Sequence, residues 1–121
     1  MKKAIFINPE TQTVSEVNLT NQLKETYSLI GCNLVEGAIN FGRNDLLVVD
    51  EEGMFNEGKC GFFIDGIFLY GNAVVWGADD EGEADDVKIT CEEICAQITW
   101  LNLEASQQIR EIKLNQPPMI F

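Results

Sequence analysis

The densest concentration of reactive side chains in this chain is a run of carboxylates. Residues 79–86 place six acidic side chains in eight positions, directly after the strand-forming stretch Gly71–Trp76. Carboxylates at this density can bind a cation, contact a basic surface or keep a turn in solvent. The acidic segment (residues 79–86) contains Asp79, Asp80, Glu81, Glu83, Asp85 and Asp86. Each of these three possibilities needs different supporting residues.

The spacing of the possible ligands predicts no dedicated metal site and no cofactor. An EF-hand calcium loop counted from Asp79 would need glycine at its sixth position and glutamate at its twelfth, where this chain has Ala84 and Thr90. Structural zinc sites normally combine two short pairs of cysteines. Only Cys91 and Cys95 form such a pair, and in a predicted helix they simply share a face. All four cysteines, which include Cys32 and Cys60, are predicted to be reduced core residues.

The residue types that usually carry catalysis are missing. The chain has no histidine, which is the commonest general base, and no G-x-S-x-G nucleophile motif. Carboxylate or cysteine chemistry alone would have to support any reaction. We therefore expect a binding protein and not an enzyme.

The charge of the chain favours a basic protein partner over a nucleic acid. The net charge is −12, and only eight basic residues are present, so direct nucleic-acid binding is not expected. Duplex DNA carries one negative charge per ~1.7 Å of its axis, so spaced carboxylates can occupy a basic groove in its place. The acidic segment is thus either a mimic of nucleic acid or a solvated turn that aids solubility.

A second candidate site would bind a small nucleotide. Glycines and aromatic residues alternate between positions 53 and 77, and aromatic rings can stack on a base while isolated cations contact a phosphate. The structural alternative is that these aromatic residues belong to the core. The candidate residues for binding an anion or nucleotide are Arg43, Lys59, Arg110, Tyr70 and Trp76.

Turn residues and alternating apolar positions predict a mostly antiparallel sheet. Strands are expected at residues 3–7, 13–17, 32–41, 46–49 and 73–76, with a further short strand at 87–89. In strand 32–41, Val35, Ile39 and Phe41 are expected on one face. Asp65–Gly66 is a strong hairpin signal, which would pair Ile64 with Ile67 and Phe63 with Phe68.

Two helices complete a single α+β domain spanning residues 1–121. The first is predicted at about 20–30, capped by Asn18 or Thr20 and ended by Gly31. The second, at about 91–113, begins with a Thr90–Glu93 capping box and carries an apolar stripe of helical period; a break near Asn102 is compatible with the pattern. The C-terminal region 104–121, which ends in the apolar tail 117–121, predicts a homo-oligomer because exposed apolar side chains are costly in water.

Hydropathy predicts a cytoplasmic protein. The longest apolar runs contain about seven residues, far fewer than the ~20 needed to cross a bilayer. The first residues are basic, but no apolar signal-peptide core follows them. No membrane partner is expected.

Several motifs follow one another along the chain. They are Asn8–Pro9–Glu10, the helix exit Tyr27–Leu29–Ile30–Gly31–Cys32, the turn Val49–Asp50–Glu51–Glu52–Gly53, and Gly71–Asn72–Ala73–Val74–Val75 followed by Gly77–Ala78–Asp79. In this order and spacing they resemble a family of short phage- and plasmid-borne proteins known only as a domain of unknown function. The resemblance covers about residues 3–100 and implies a mobile-element setting, with no catalytic residues to carry over. Residues 104–121 extend beyond it.

These observations lead to two functional hypotheses. In the first, the protein is a non-enzymatic accessory protein of a phage or mobile element that inhibits a host defence function by stoichiometric binding, through the acidic segment. In the second, it sequesters a small nucleotide signal in an aromatic and arginine pocket at a subunit interface. The partner is accordingly a host protein or a small nucleotide ligand.

Overall fold

The computed structural model describes residues 1–116 and shows an α+β fold, as predicted. The strands are β1 (Lys2–Asn8), β2 (Thr13–Leu19), β3 (Val35–Gly42), β4 (Asp45–Asp50), β5 (Gly61–Ile64), β6 (Ile67–Tyr70), β7 (Ala73–Ala78), β8 (Ala84–Asp85) and β9 (Ile98–Trp100). The helices are α1 (Gln22–Ile30), α2 (Cys91–Cys95) and α3 (Leu103–Leu114), with a 3-10 turn at Gly53–Phe55. None of the described helices is long and apolar enough to span a membrane. The predicted apolar tail at 117–121 lies outside the described residues.

The main sheet is antiparallel, with strand order β2-β1-β7-β4-β3 and β8 paired to β7. Alternate residues of its strands face two separate apolar clusters, as expected for a sheet covered on both sides. On one side, Ile5 and Ile7 pack with residues of β5 and α2. On the other side, Ala4 and Val74 pack against α1. The sheet is therefore held between α1 and a second layer.

That second layer is a small sheet with strand order β6-β5-β9. The predicted Asp65–Gly66 hairpin is confirmed, because Ile64 pairs with Ile67 and Phe63 with Phe68. Both turn residues have positive φ, 48° and 79°, as a two-residue hairpin turn of this type requires.

The predicted single helix at 91–113 is wrong in its middle. The chain leaves α2 after Cys95, forms β9 and begins α3 at Leu103, with Asn102 accepting a hydrogen bond from the backbone of Ala105 at 2.8 Å. β9 pairs with β5 along Ile98 and Trp100, so these residues are used in a sheet and not in a helical stripe. Short apolar runs do not distinguish the two periods. The described part of α3 buries Ser106 and Arg110.

Smaller differences have local causes. Strand β3 begins at Val35 and contains a bulge between Gly37 and Ile39, so Val35 packs toward α1 while Ile39 and Phe41 pack on the other side. A bulge inserts one residue and reverses the facing of those that follow.

The start of α1 also differs from the prediction. The N-cap is Asn21, whose side chain accepts from the backbone of Lys24 at 3.2 Å; the expected caps were Asn18 or Thr20. Gly31 ends the helix with φ of 81°, as predicted. Residues 87–89 do not form the predicted strand, because a buried side chain binds two of their backbone N–H groups, as described below.

Candidate functional site

The acidic segment is an ordered turn that joins β7 to β8. One carboxylate oxygen of Asp79 accepts the backbone N–H groups of Glu81 and Glu83, at 2.9 and 3.0 Å. The Asp79 N–H in turn donates to the carbonyl of Glu83 at 2.9 Å. Gly82 supplies the positive φ, 84°, that closes the turn. The acidic segment is therefore fixed by its own hydrogen bonds.

Three of the other carboxylates contact the body of the protein. Asp80 accepts from the amide of Asn44 at 3.1 Å, and Asp85 lies 3.9 Å from the Lys88 ammonium. The backbone N–H of Lys3 donates to Asp86 at 2.8 Å, and this hydrogen bond is the main cause that lowers the pKa of the Asp86 carboxyl. These contacts tie the acidic segment to the β3–β4 turn, to Lys88 and to β1.

The remaining two carboxylates, Glu81 and Glu83, are exposed, and their side chains make no hydrogen bond or ion pair within residues 1–116. Within the same residues, no group of three or more acidic or cysteine side chains could hold a metal ion. The acidic segment thus offers free negative charge on a rigid turn.

Asp45 anchors the chain that leaves the acidic segment, and the sequence analysis did not identify it. Its carboxylate is 1% exposed and accepts from the backbone N–H of Lys88 at 3.0 Å and of Ile89 at 2.7 Å. An aspartate at the start of a strand reads as turn chemistry in the sequence, so no local signal marks this long-range role.

The structure brings together three of the five residues predicted to bind an anion or nucleotide. The hydroxyl of Tyr70 accepts from the backbone N–H of Lys59 at 3.0 Å. The Arg110 guanidinium carbon lies 5.8 Å from the centre of the Tyr70 ring, and its Nε donates to the carbonyl of Met54 at 2.7 Å. Tyr70 and Arg110 are buried, so much of this cluster holds the protein together.

The other two predicted residues lie elsewhere. Trp76 faces α1, where its indole N–H donates to the Thr26 hydroxyl at 2.8 Å. Arg43 is in the β3–β4 turn, 3.9 Å from the Glu93 carboxylate. The five residues therefore do not form one nucleotide pocket in a single chain.

A polar cleft of about 150 Å³ opens beside Tyr70 and Lys59. It lies where β1 and β4 end, between the last residues of α1 and the 3-10 turn at Gly53–Phe55. Its polar lining, called here the cleft residues, consists of Asn8, Glu10, Asp50, Asn56, Lys59 and Asn72. Except for Lys59, these residues were absent from the predicted sites, because each looks like an ordinary turn residue in the sequence.

The two cleft carboxylates lie next to thiols whose ionisation they oppose. Burial raises the pKa of the Cys60 thiol, and the negative charge of Glu10 raises it further. Burial also raises the pKa of Cys32, with a second contribution from Asp50. The cleft lining thus carries two carboxylates against one ammonium, and the thiols beside it keep their protons at neutral pH.

The family is settled by comparison with known proteins. A family model described as "Domain of unknown function (DUF3846)" matches residues 1–99. The chain belongs to this family. No curated protein and no solved structure gives a significant match.

The part of the chain that matches the family contains both the acidic segment and the cleft residues, whereas α3 follows it. The motifs that carry the resemblance contribute Asn8, Glu10, Asp50 and Asn72 to the cleft. The two regions lie at opposite ends of the main sheet: β4 begins beside the acidic segment and ends at the cleft. The six residues of β7 separate them by about 20 Å.

Proposed function

We propose that this protein is a non-enzymatic, stoichiometric binder that presents the acidic segment to a basic surface of a partner protein. In the setting that the resemblance implies, it is an accessory protein of a phage or mobile element in the host cytoplasm, and the partner is a host defence protein. The observation that carries the proposal is the rigid turn with free carboxylates at Glu81 and Glu83.

Rigidity separates this proposal from the alternative of a solvated loop. A turn that only aids solubility needs no defined conformation. Here the Asp79 carboxylate and the β7–β8 pairing fix the backbone, so little conformational entropy is lost on binding. Charge concentrated on such a surface accelerates association with a basic partner and raises specificity.

The thiols also support a binding role. The pKa of each of Cys32, Cys60 and Cys91 is raised, chiefly by burial and then by neighbouring acidic groups. A catalytic cysteine needs a thiolate, which positive surroundings favour. With histidine absent as well, the surroundings of Cys32, Cys60 and Cys91 do not favour a thiolate.

The test is a comparison of two double variants with equal net charge. Glu81→Lys/Glu83→Lys changes the exposed carboxylates of the acidic segment, whereas Glu36→Lys/Glu57→Lys changes two exposed glutamates elsewhere. Both variants and the wild type are used as bait in a host lysate, and basic proteins that bind are then titrated in purified form. We expect the first variant to weaken binding by about tenfold or more and the control to change it little.

The binding should also weaken as salt is raised, because the contact is between exposed charges. Equal binding by the two double variants would overturn the proposal, since only one of them alters the acidic segment. Thermal unfolding of each variant checks that the fold is intact.

The second candidate function, sequestration of a small nucleotide, is supported only by the proximity of Lys59, Tyr70 and Arg110. It predicts that Lys59→Gln weakens nucleotide binding in calorimetry against mononucleotides and cyclic dinucleotides. A flat response across this panel would remove it.

A homo-oligomer also remains a proposal. Three apolar side chains of α3 are more than two-fifths exposed in the single chain: Leu103, Ile112 and Leu114. Burying such side chains against a second copy would gain free energy. Sedimentation velocity of the full chain measures the state directly.

A further inference from the structure

The polar cleft is large enough for a small ligand and is lined by two carboxylates against one ammonium. Its volume of about 150 Å³ has room for about five to ten non-hydrogen atoms. Glu10 and Asp50 contribute carboxylates, and Asn8, Asn56 and Asn72 contribute amides, of which those of Asn56 and Asn72 donate to Asp50 and to the Leu29 carbonyl. Lys59 supplies the one positive charge of its lining. The excess of negative charge therefore favours a cationic ligand with N–H donors over an anionic one.

The charge around the cleft is also negative, which favours a cationic ligand. Two carboxylates oppose one ammonium, and the carbonyl end of α1 reaches the cleft at Ile30 and Gly31. No basic residue lies in the last turn of that helix, so its partial negative charge is not compensated from within the helix. Burial is the main cause that raises the pKa of the Cys32 and Cys60 thiols, and the charges of Asp50 and Glu10 add to it.

We propose that this cleft binds the ammonium or guanidinium group of a small organic cation. Glu10 and Asp50 would accept its N–H groups, and the amide oxygens would complete its hydrogen bonds. This site is separate from the acidic segment, and the proposal does not depend on the proposed function.

An organic cation fits better than a metal ion because apolar surface adjoins the cleft. A neighbouring hollow of about 390 Å³ shares Gly31, Asp50 and Asn56 with it and continues to Leu34 and Phe55. The side chains of Leu34 and Phe55 are 53% and 73% exposed. The alkyl part of the ligand would cover them, whereas a metal ion would gain nothing from this surface.

The experiment titrates the full chain with four probes and follows backbone amide shifts by NMR. The probes are n-butylammonium, the uncharged match n-butanol, inorganic phosphate and calcium. We expect n-butylammonium to shift the amides of Gly31, Gly53 and Asn72 saturably, with a dissociation constant of about 1 mM. n-Butanol should bind about fivefold more weakly or not at all.

Two variants should change the affinity for n-butylammonium in opposite directions. Asp50→Asn removes a negative charge and keeps the shape, so n-butylammonium should bind about fivefold more weakly. Lys59→Gln removes the positive charge, so the same probe should bind about twofold more tightly. The Lys59 side chain is exposed, and its ammonium makes no hydrogen bond or ion pair within residues 1–116, so the Lys59→Gln measurement stands even if Asp50→Asn fails to fold.

The proposal would be overturned if n-butanol bound as well as n-butylammonium, if phosphate or calcium bound more tightly in the cleft, or if Lys59→Gln weakened the binding of n-butylammonium. Amide shifts confined to residues outside the cleft would do the same. Because the readout concerns the cleft alone, failure of the acidic segment to bind a partner leaves it unaffected.

Discussion

The two ends of strand β4 show how differently this protein uses the same side chain. Asp45 begins the strand beside the acidic segment, and its carboxylate is 1% exposed with backbone N–H groups as partners. Asp50 ends the strand in the cleft, half-buried, where its carboxylate accepts from the Glu52 backbone and the Asn56 amide. The first aspartate is structural, and the second remains accessible to a ligand.

The same contrast extends to the two ends of the sheet. At the first end, carboxylates project from a turn that the Asp79 carboxylate holds by two backbone hydrogen bonds. At the second end, polar groups surround a recess that lies between α1 and the 3-10 turn. Tyr70 forms part of its wall and is held there by Gln107, whose side-chain amide donates to the Tyr70 hydroxyl at 2.9 Å. A turn of this kind suits contact with a large partner, and the recess suits a small one.

The largest expected effect comes from truncating Asp45, the buried aspartate of β4, and Asp50 provides the comparison. Asp45→Ala leaves the N–H groups of Lys88 and Ile89 buried without their acceptor, and each such group costs about 1–3 kcal/mol. We expect Asp45→Ala to lower the free energy of unfolding by about 3 kcal/mol, measured by urea denaturation.

Asp50→Ala should cost only about 1 kcal/mol, because water can reach the donors it abandons. Equal losses from the two variants would show that the contrast between the ends of β4 is mistaken. Asp45→Asn, which retains one acceptor oxygen, should fall between Asp45→Ala and the wild type.

The next largest effect compares glycines at the two ends of β7. At Gly77 a Cβ would overlap the backbone of Asp86 and lie 2.7 Å from the amide nitrogen of Val87. Gly77→Ala should therefore push β8 away and cost about 2–3 kcal/mol. At Gly71 the space is open but φ is +86°, so Gly71→Ala should cost only about 1 kcal/mol from backbone strain.

Hydrogen exchange distinguishes the two mechanisms. Gly77→Ala should accelerate exchange at the β7–β8 pairs, whereas Gly71→Ala should leave them protected. If both variants accelerated exchange at the β7–β8 pairs to the same degree, the two ends of β7 would open together.

The smallest effect concerns the potential of the cleft. Asp50→Asn should lower the raised pKa of Cys32 toward its ordinary value, because the charge of Asp50 contributes to the raised value after burial. Alkylation of Cys32 by the neutral reagent iodoacetamide at pH 8, followed by peptide mass spectrometry, should become faster. An unchanged rate would argue against a negative cleft.

The raised pKa of Cys32 also makes the stability of the fold depend on pH. A thiol whose pKa is higher in the folded protein contributes stability that is fully present below its unfolded pKa, about 9. That contribution is lost as pH rises through the folded value. In the alkylation experiment, Cys91 is the internal control. Its pKa is also raised, but the main charge contribution comes from Glu16 and not from Asp50.

Local patterns predicted the elements well where one residue dictates the backbone. Asp65–Gly66 specified the hairpin register, and Gly31 specified the end of α1. Prediction failed at Ile98–Trp100, because this short apolar run fits a helix or a strand equally well. Pairing with β5 makes it a strand. It failed again for Val35, because a bulge depends on the fit between two strands.

The sites divide in the same way. The sequence alone determined the charge of the acidic segment, the absence of histidine and the α+β class, because these depend on composition and on contacts between near neighbours. Only the tertiary structure tied the acidic segment to Asn44 and Lys3, separated Trp76 and Arg43 from Tyr70, and assembled the cleft residues from turns spread between positions 8 and 72. The local sequence does not indicate which distant turns will lie side by side. Strand pairing sets the position of each turn, and the conformation of the turn itself does not.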